Sequence, residues 1–258
     1  MKMSKRIVVF LQFKDGEKWF GRELFNDGTI LYAGYCVIPI EYSGDSEPDW
    51  DEIIVVKYPD EDLYNKAIDR LKAQESKIEN YKVFLISLIP QKLFETINKM
   101  FERYRNNSFE SLPEDLARKE IEPNLSPKSF KRLYSRDKSQ PLGVTFFNKH
   151  HDVTEYPEDY KGAVKPTNGR AAYYEYAKAA IKLQGNIGGK MLIEGPYKAT
   201  IISDKDETYD DFNIIWYPSL ENFEKMLNSK EYQDCLIHRE VGLEYSLSCY
   251  TIPYEEFS

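Results

Sequence analysis

Arg239 puts a charge on a helix face that should be apolar. The segment 219–241 has a helical pattern, and at about 100° per residue Arg239 lies in line with Tyr232, Cys235 and Leu236. An unpaired guanidinium on that line is costly, so it has to meet a carboxylate, carbonyl oxygens or an anionic ligand. Two readings stand. Arg239 holds a substrate carboxylate or enolate, or it serves a structural ion pair or snorkels past the helix end. His238 flanks the same stripe. It is either a general base near neutral pH or a half-exposed surface histidine.

A second group lies at His150-His151, at the end of an expected strand over 142–149. Alternation places His150 on the face of Val144, Phe146 and Asn148, and His151 on the other face. Neighbours on a strand do not readily ligate one metal together. One of them is a base or a haem ligand at a pocket mouth, or both are loop histidines. Asn148 and Gln12 each follow a Phe by two residues, and we take them as equivalent places in two first strands. An inward amide there orients a ligand or pairs with a tyrosine. Tyr232, Tyr173, Tyr174 and Tyr217 line the same space or pack the core. The candidates are thus Arg239, His238 and His150 for catalysis, and Tyr232, Asn148, Tyr217 and Tyr173 for substrate binding, with no metal site. The run GNIGG at 185–189 follows a helix and lacks the Lys-Ser/Thr of a phosphate loop.

Positioning these residues requires two copies of one plan. The first copy has a strand at 7–14, a helix at 17–25 carrying Trp19, Phe20 and Leu24, a strand at 29–42 and a polar turn at 43–49. A short apolar strand at 52–57, a helix at 60–76 and a strand at 81–89 complete it. This is the βαββαβ order of the ferredoxin-like unit. The plan restarts with the strand at 142–149, followed by an acidic insertion at 152–167. Next comes a helix capped by Asn168, with Tyr173, Ala177, Ala180 and Ile181 facing inward. Strands at 190–203 and 212–216, one long helix at 219–241 and a strand at 245–252 close it. The copies overlay at Tyr58-Pro59 on Tyr217-Pro218, at Phe10, Gln12 and Lys14 on Phe146, Asn148 and His150, and at Pro90 on Pro253. The later helical segment is about one turn longer in the second copy.

Each sheet would carry helices on one face and leave the other bare and apolar, so two sheets must cover each other. The expected fold is α+β: two tandem ferredoxin-like repeats, 1–92 and 141–258, packed as an intrachain dimeric α/β barrel. The pocket is expected in the second repeat, between its sheet and its long helix. A connector at 93–140 begins with a helix whose stripe is Leu93, Ile97, Met100, Phe101 and Tyr104. It continues through Pro113, Pro123 and Pro127, with a short helix near 114–120, into a basic run of Lys128, Lys131, Arg132, Arg136 and Lys138. That run is a patch for an anionic partner or a solvated linker.

Composition narrows the function classes. Hydrophobic residues at 41% and charged residues at 30% belong to a globular protein with a real core. A net charge of −8 argues against nucleic acid or an anionic membrane as partner. Cys36, Cys235 and Cys249 are odd in number and form no CxxC pair, which reads as free thiols in a reducing, cytoplasmic setting. The run from Ile7 to Phe13 is too short for a signal core, and no stretch approaches a membrane span.

The motif Trp216-Tyr217-Pro218-Ser219, then Ser229-Lys230-Glu231-Tyr232-Gln233, then Arg239, resembles the domain of unknown function 1330 family of the dimeric α/β barrel superfamily. Lys230 stands where that family usually has Pro, and the first repeat lacks the Ser-x-Glu-Tyr-Gln and its Arg. The resemblance covers about the last fifty residues. It implies the ferredoxin-like barrel, in a superfamily that holds cofactor-free monooxygenases, isomerases, haem-dependent chlorite dismutases and plain ligand binders. Fold alone does not choose among these. The expected function is small-molecule binding by a monomer or homodimer. In the leading form it is a cofactor-independent enzyme of monooxygenase, isomerase or lyase type, acting on a small anionic or enolisable substrate. The competing classes are a non-catalytic ligand-binding or assembly protein and a haem-dependent enzyme, which needs only one proximal histidine.

Overall fold

The computed structural model describes residues 4–15, 21–41, 50–105, 108, 110, 112, 131–133 and 135–257. The helix expected near 114–120, the turn at 43–49, Trp19, Phe20 and Lys128 lie outside them. The first repeat comprises β1 (Lys5–Phe13), α1 (Gly21–Leu24), β2 (Thr29–Glu41), β3 (Glu52–Tyr58), α2 (Glu61–Lys72) and β4 (Ile78–Ile86). A connecting helix α3 (Gln91–Tyr104) leads to the second: β5 (Leu142–His150), α4 (Gly169–Asn186), β6 (Lys190–Ile202), β7 (Asp211–Tyr217), α5 (Leu220–Leu227), α6 (Lys230–Glu240) and β8 (Leu243–Pro253).

The strands close into one barrel in the order β1-β3-β2-β8-β5-β7-β6-β4. Each repeat contributes a four-stranded sheet, and antiparallel seams β2–β8 and β4–β6 join them. The chain is therefore an α+β dimeric α/β barrel built from two tandem ferredoxin-like repeats. The bare faces expected from the sequence form the barrel interior. Phe10, Trp50, Phe84, Phe147, Phe212 and Tyr209 fill it, with ring centroids of 4.4 Å for Phe147–Phe212 and 4.6 Å for Phe84–Phe147. Lys82 is buried at one end of this core against Glu207 (2.9 Å), which also accepts from Tyr209 and Ser203. With its charges and hydroxyls paired in this way, the interior is a packed core and not a ligand chamber.

Registers correct the sequence overlay by one residue. Lys5 pairs with Tyr58 in the first repeat and Leu142 with Tyr217 in the second. Because Tyr58 corresponds to Tyr217, Phe10 corresponds to Phe147, and both face the interior. Gln12 therefore does not correspond to Asn148. Gln12 accepts from Asn80 at 2.6 Å on the interior side of β1, whereas Asn148 faces the helices. The counterpart of Asn148 is Leu11 and that of His150 is Phe13. Irregularities recur at matching places, Gln12/Phe13 with Lys149/His150 and Ile30/Tyr32 with Met191/Ile193, which supports this register. The closing prolines are not equivalent either: Pro253 pairs with Gly34 inside the β2–β8 seam, and Pro90 precedes α3.

The single long helix expected over 219–241 is two helices. α5 ends at Leu227, and Ser229, fully buried, starts α6 by accepting the Tyr232 N–H at 3.2 Å. Ser219 caps α5 in the same way, accepting from Asn222 at 3.0 Å. Among the described residues no helix is long and apolar enough to cross a membrane. The three cysteines are buried free thiols.

Candidate functional site

A cavity of about 360 Å³ lies on the outer face of the second sheet, under α4. Its floor is Phe146 and His150 on β5, Met191 and Glu194 on β6, and Asp211, Asn213 and Ile215 on β7. Its roof is the inner side of α4, where Tyr173, Tyr176, Ala177, Ala180, Ile181 and Gln184 recur at helical spacing. Ile97 of α3 closes one side.

Local sequence explains how α4 is placed. Asn168 Oδ1 accepts the Ala171 N–H at 2.9 Å, the cap expected from the sequence. Gly169 follows, and a methyl group there would strike the backbone of His151 and Gly242, so only glycine lets α4 begin hard against the end of β5. At the far end α3 is pinned to β6 through Asn98, whose amide both donates to the Met191 carbonyl and accepts from its N–H, each at 3.1 Å.

The polar centre is His150. Its Nε2 lies 2.7 Å from Asp211 Oδ2. Asn148 donates to the other Asp211 oxygen at 2.9 Å and to the Tyr173 hydroxyl at 3.3 Å, and Ser246 donates to Asn148 Oδ1 at 3.0 Å. The backbone N–H of His150 donates to Asp210 Oδ2 at 2.9 Å. The carboxylate of Asp211 is thus held by an amide and turned toward the imidazole. His150 Nδ1 is buried and has no hydrogen-bond partner in the structure. A neutral imidazole that donates Nε2–H to this carboxylate keeps its lone pair on Nδ1.

Glu194 borders the same cavity. It pairs across the strands with Asn213, two residues along β7 from Asp211. Burial, and secondarily the charge of Asp211, push its carboxyl up to about 8, so it is largely protonated at neutral pH. Burial raises the Tyr173 hydroxyl well above its ordinary range, with Tyr176 and Asp211 adding to the shift and Arg239 opposing it.

The sequence-derived candidates divide. His150, Asn148 and Tyr173 are brought together here. Arg239 is half-buried in the last turn of α6 and does not line the cavity, although its charge is felt at Tyr173. Tyr232 packs near Tyr176 in the core (6.2 Å between rings), and Tyr217 is buried beneath Gln184, which donates to its hydroxyl at 3.0 Å. His238 is held outside the pocket by two hydroxyls of the acidic insertion, Tyr156 at 2.7 Å and Tyr160 at 3.2 Å. His151 is solvent-exposed. This cavity therefore lies under α4, and the 219–241 segment does not line it.

Asp211, Glu194 and Asn213 were missed by sequence reasoning. Their signal was present: a lone carboxylate inside the apolar run of β6, and Asp211, Asn213, Ile215 and Tyr217 alternating on one face of β7. Among the described residues no three of His, Cys, Asp or Glu converge to hold a metal ion. One imidazole, that of His150, stands in the wall, with the carboxyl groups of Asp211 and Glu194 beside it and no buried cation in the lining.

The first repeat shows what this position looks like without a site. Through the registers, Asn148, His150, Asn213 and Glu194 correspond to Leu11, Phe13, Ile54 and Ala33, all buried and apolar. There Gly21 of α1 sits so close to Leu11, Ile54 and Glu52 that a methyl group would collide with all three. That space is closed.

Comparison with curated protein sequences finds no match. Among solved structures, a protein of unknown function from Rhodopseudomonas palustris is 23% identical, with a TM-score of 0.43, covering 51% of this chain and 95% of its own. Chlorite dismutase from Candidatus Nitrospira defluvii is 11% identical (TM-score 0.43), covering 98% of this chain and 93% of its own. A dye-decolorizing protein from V. cholerae is 11% identical (TM-score 0.44), covering 96% and 93%. These are likenesses of fold, and what those proteins act on is theirs. Residues 162–250, about a third of the chain and spanning α4 to β8, match the family called domain of unknown function 1330, here carried on a dimeric α/β barrel made within one chain.

Proposed function

We propose that the cavity under α4 binds a small organic molecule and that His150, held by Asp211, moves a proton on it. The observation that carries this reading is the His150 ring, buried at 6% exposure, with one nitrogen tied to Asp211 and the other without a partner. An imidazole needed only for packing would have both nitrogens satisfied or exposed, and the same position in the first repeat is simply Phe13.

The chemistry follows from the arrangement. Asp211 accepts from Nε2–H, which leaves Nδ1 as the basic atom and stabilises the imidazolium that forms when Nδ1 takes a proton. Asn148 fixes Asp211 and is itself fixed by Ser246, so the pair is oriented before any ligand arrives. Such a pair suits removal of a proton from an enolisable carbon or a hydroxyl, which supports a cofactor-independent enzyme of isomerase or lyase type. The anionic substrate expected from Arg239 is not carried over, because Arg239 is absent from the lining and two carboxyl groups are present.

The test is solvent deuterium exchange, followed by NMR, into a panel of small carbonyl compounds. We expect exchange at an enolisable position with the wild-type protein and a loss of about 10²-fold or more in His150→Gln, which preserves size and polarity. Compounds that bind in the cavity without any exchange would overturn the catalytic reading and leave a ligand-binding protein.

A further inference from the structure

The lining of this cavity says more about its ligand than that it is small. We propose that the ligand is a small organic cation, a protonated amine whose ammonium group is anchored by Glu194 with Asp211 beside it and whose carbon skeleton lies against Phe146, Tyr173 and Tyr176. The proposal rests on the reading of the cavity as a ligand site and specifies what enters it.

The first observation is the state of Glu194. Glu194 borders the cavity, and no hydrogen bond or ion pair ties its carboxyl to a described residue. Asp211, by contrast, is satisfied by His150 and Asn148. Glu194 is half-buried, and a carboxyl group in this mostly apolar wall is a cost that the fold does not require, since the counterpart in the first repeat is Ala33. The group that best offsets that cost is a cation.

The second observation is position. Glu194 faces Asn213 across the β6–β7 pair, and Asp211 is two residues on along the same face. Diagonal neighbours on adjacent strands lie about 7–8 Å apart, within reach of one ammonium group and its hydrogen-bond partners. The third is the wall. Phe146, Tyr173 and Tyr176 present aromatic surface to the cavity, and an aromatic face attracts a desolvated cation. The other ionisable groups around Glu194 are His150 on β5 and, on α4, Tyr173, Tyr174, Tyr176 and the exposed Arg170. An anion entering here meets two carboxyl groups and no buried cation in the lining.

The linkage has a definite sign. In the ligand-free protein Glu194 holds its proton up to about pH 8, and it must release that proton to hold an ammonium ion. Below pH 8 the apparent affinity for an amine should weaken by about tenfold per pH unit, and above pH 8 it should level off. A neutral ligand would show no such dependence, and an anion would show the reverse.

The experiment is calorimetric titration of the full chain with benzylamine, benzyl alcohol and benzoate, which share one ring, at pH 6, 7, 8 and 9. We expect benzylamine to bind at least tenfold more tightly than benzyl alcohol at pH 8, to release a proton on binding at pH 7, and to outcompete benzoate at pH 8 and 9. Glu194→Gln, nearly isosteric with the protonated acid, should bring benzylamine and benzyl alcohol to within about threefold and abolish the proton release. Ala177→Trp, which fills the cavity from α4, separates the two ideas. Benzoate or benzyl alcohol binding best in a manner lost with Ala177→Trp would overturn the cation while keeping the cavity. Benzylamine binding undiminished by Ala177→Trp would overturn the cavity as its site, and no binding by any of the three would overturn the cation proposal. The proton-transfer reading is judged separately by the exchange experiment.

Discussion

At the scale of single residues, Glu194 makes stability depend on pH in a direction opposite to that of most carboxylates. Its carboxyl is raised from 4.5 to about 8 in the folded chain, first by burial and then by Asp211. Between those values the folded state binds a proton that the unfolded state has released, so stability falls as pH rises through that window and flattens above it. Urea unfolding midpoints should therefore decline from pH 5 to pH 8 more steeply in the wild type than in Glu194→Gln, and parallel curves would mean that Glu194 is not held protonated. The same scale shows why this cavity gathers some of the sequence candidates and not others. His150, Asn148 and Tyr173 were legible because a histidine or amide at a strand end, and a tyrosine on an inward helix face, stand out against apolar neighbours. A helical wheel assigns Arg239 and His238 to a pocket because it gives the angle of a side chain but not the element that covers it. The covering element for His238 is the insertion that supplies Tyr156 and Tyr160.

At the scale of elements, the βαββαβ order, the Asn168 cap and the two Tyr-Pro stops were all legible, since each rests on local chemistry. Strand register is not local. Phe10-x-Gln12 looks like Phe146-x-Asn148, but pairing with Tyr58 and Tyr217 sets the offset one residue further on, and with a period of two that step exchanges the faces. The break between α5 and α6 was missed for a different reason. Asn228-Ser229 followed by Lys-Glu is a start signal, but an unbroken apolar stripe on both sides hides it. Ser229 is fully buried, its Oγ donates to the Met226 carbonyl at 2.7 Å, and it accepts from Tyr232, so it joins the two helices. Ser229→Ala should cost about 1–2 kcal/mol in chemical denaturation without altering the cavity. A change below about 0.3 kcal/mol would show that packing alone holds α6 in place.

At the scale of the whole molecule, each repeat hides the apolar face of the other, and the seams β2–β8 and β4–β6 match the same pair of edges in opposite order. A fragment of residues 91–258 would expose Phe147, Phe212, Ile214 and Leu247 together with the edges of β6 and β8. It should recover closure by pairing with a second copy, β6 to β8 in both directions. Sedimentation analysis should find a dimer, and a soluble, folded monomer would show that the interior face does not need a partner. Joining the two repeats in one chain also frees them from having to be identical. A homodimer that gains His150 and Glu194 gains them twice, whereas this chain keeps Phe13 and Ala33 in the matching places and closes that half with Gly21. Among the described residues this position is thus open in the second repeat and closed in the first. Each barrel should saturate at a single equivalent of ligand at this position, along a simple hyperbola, with no twin site to pull the curve into a sigmoid.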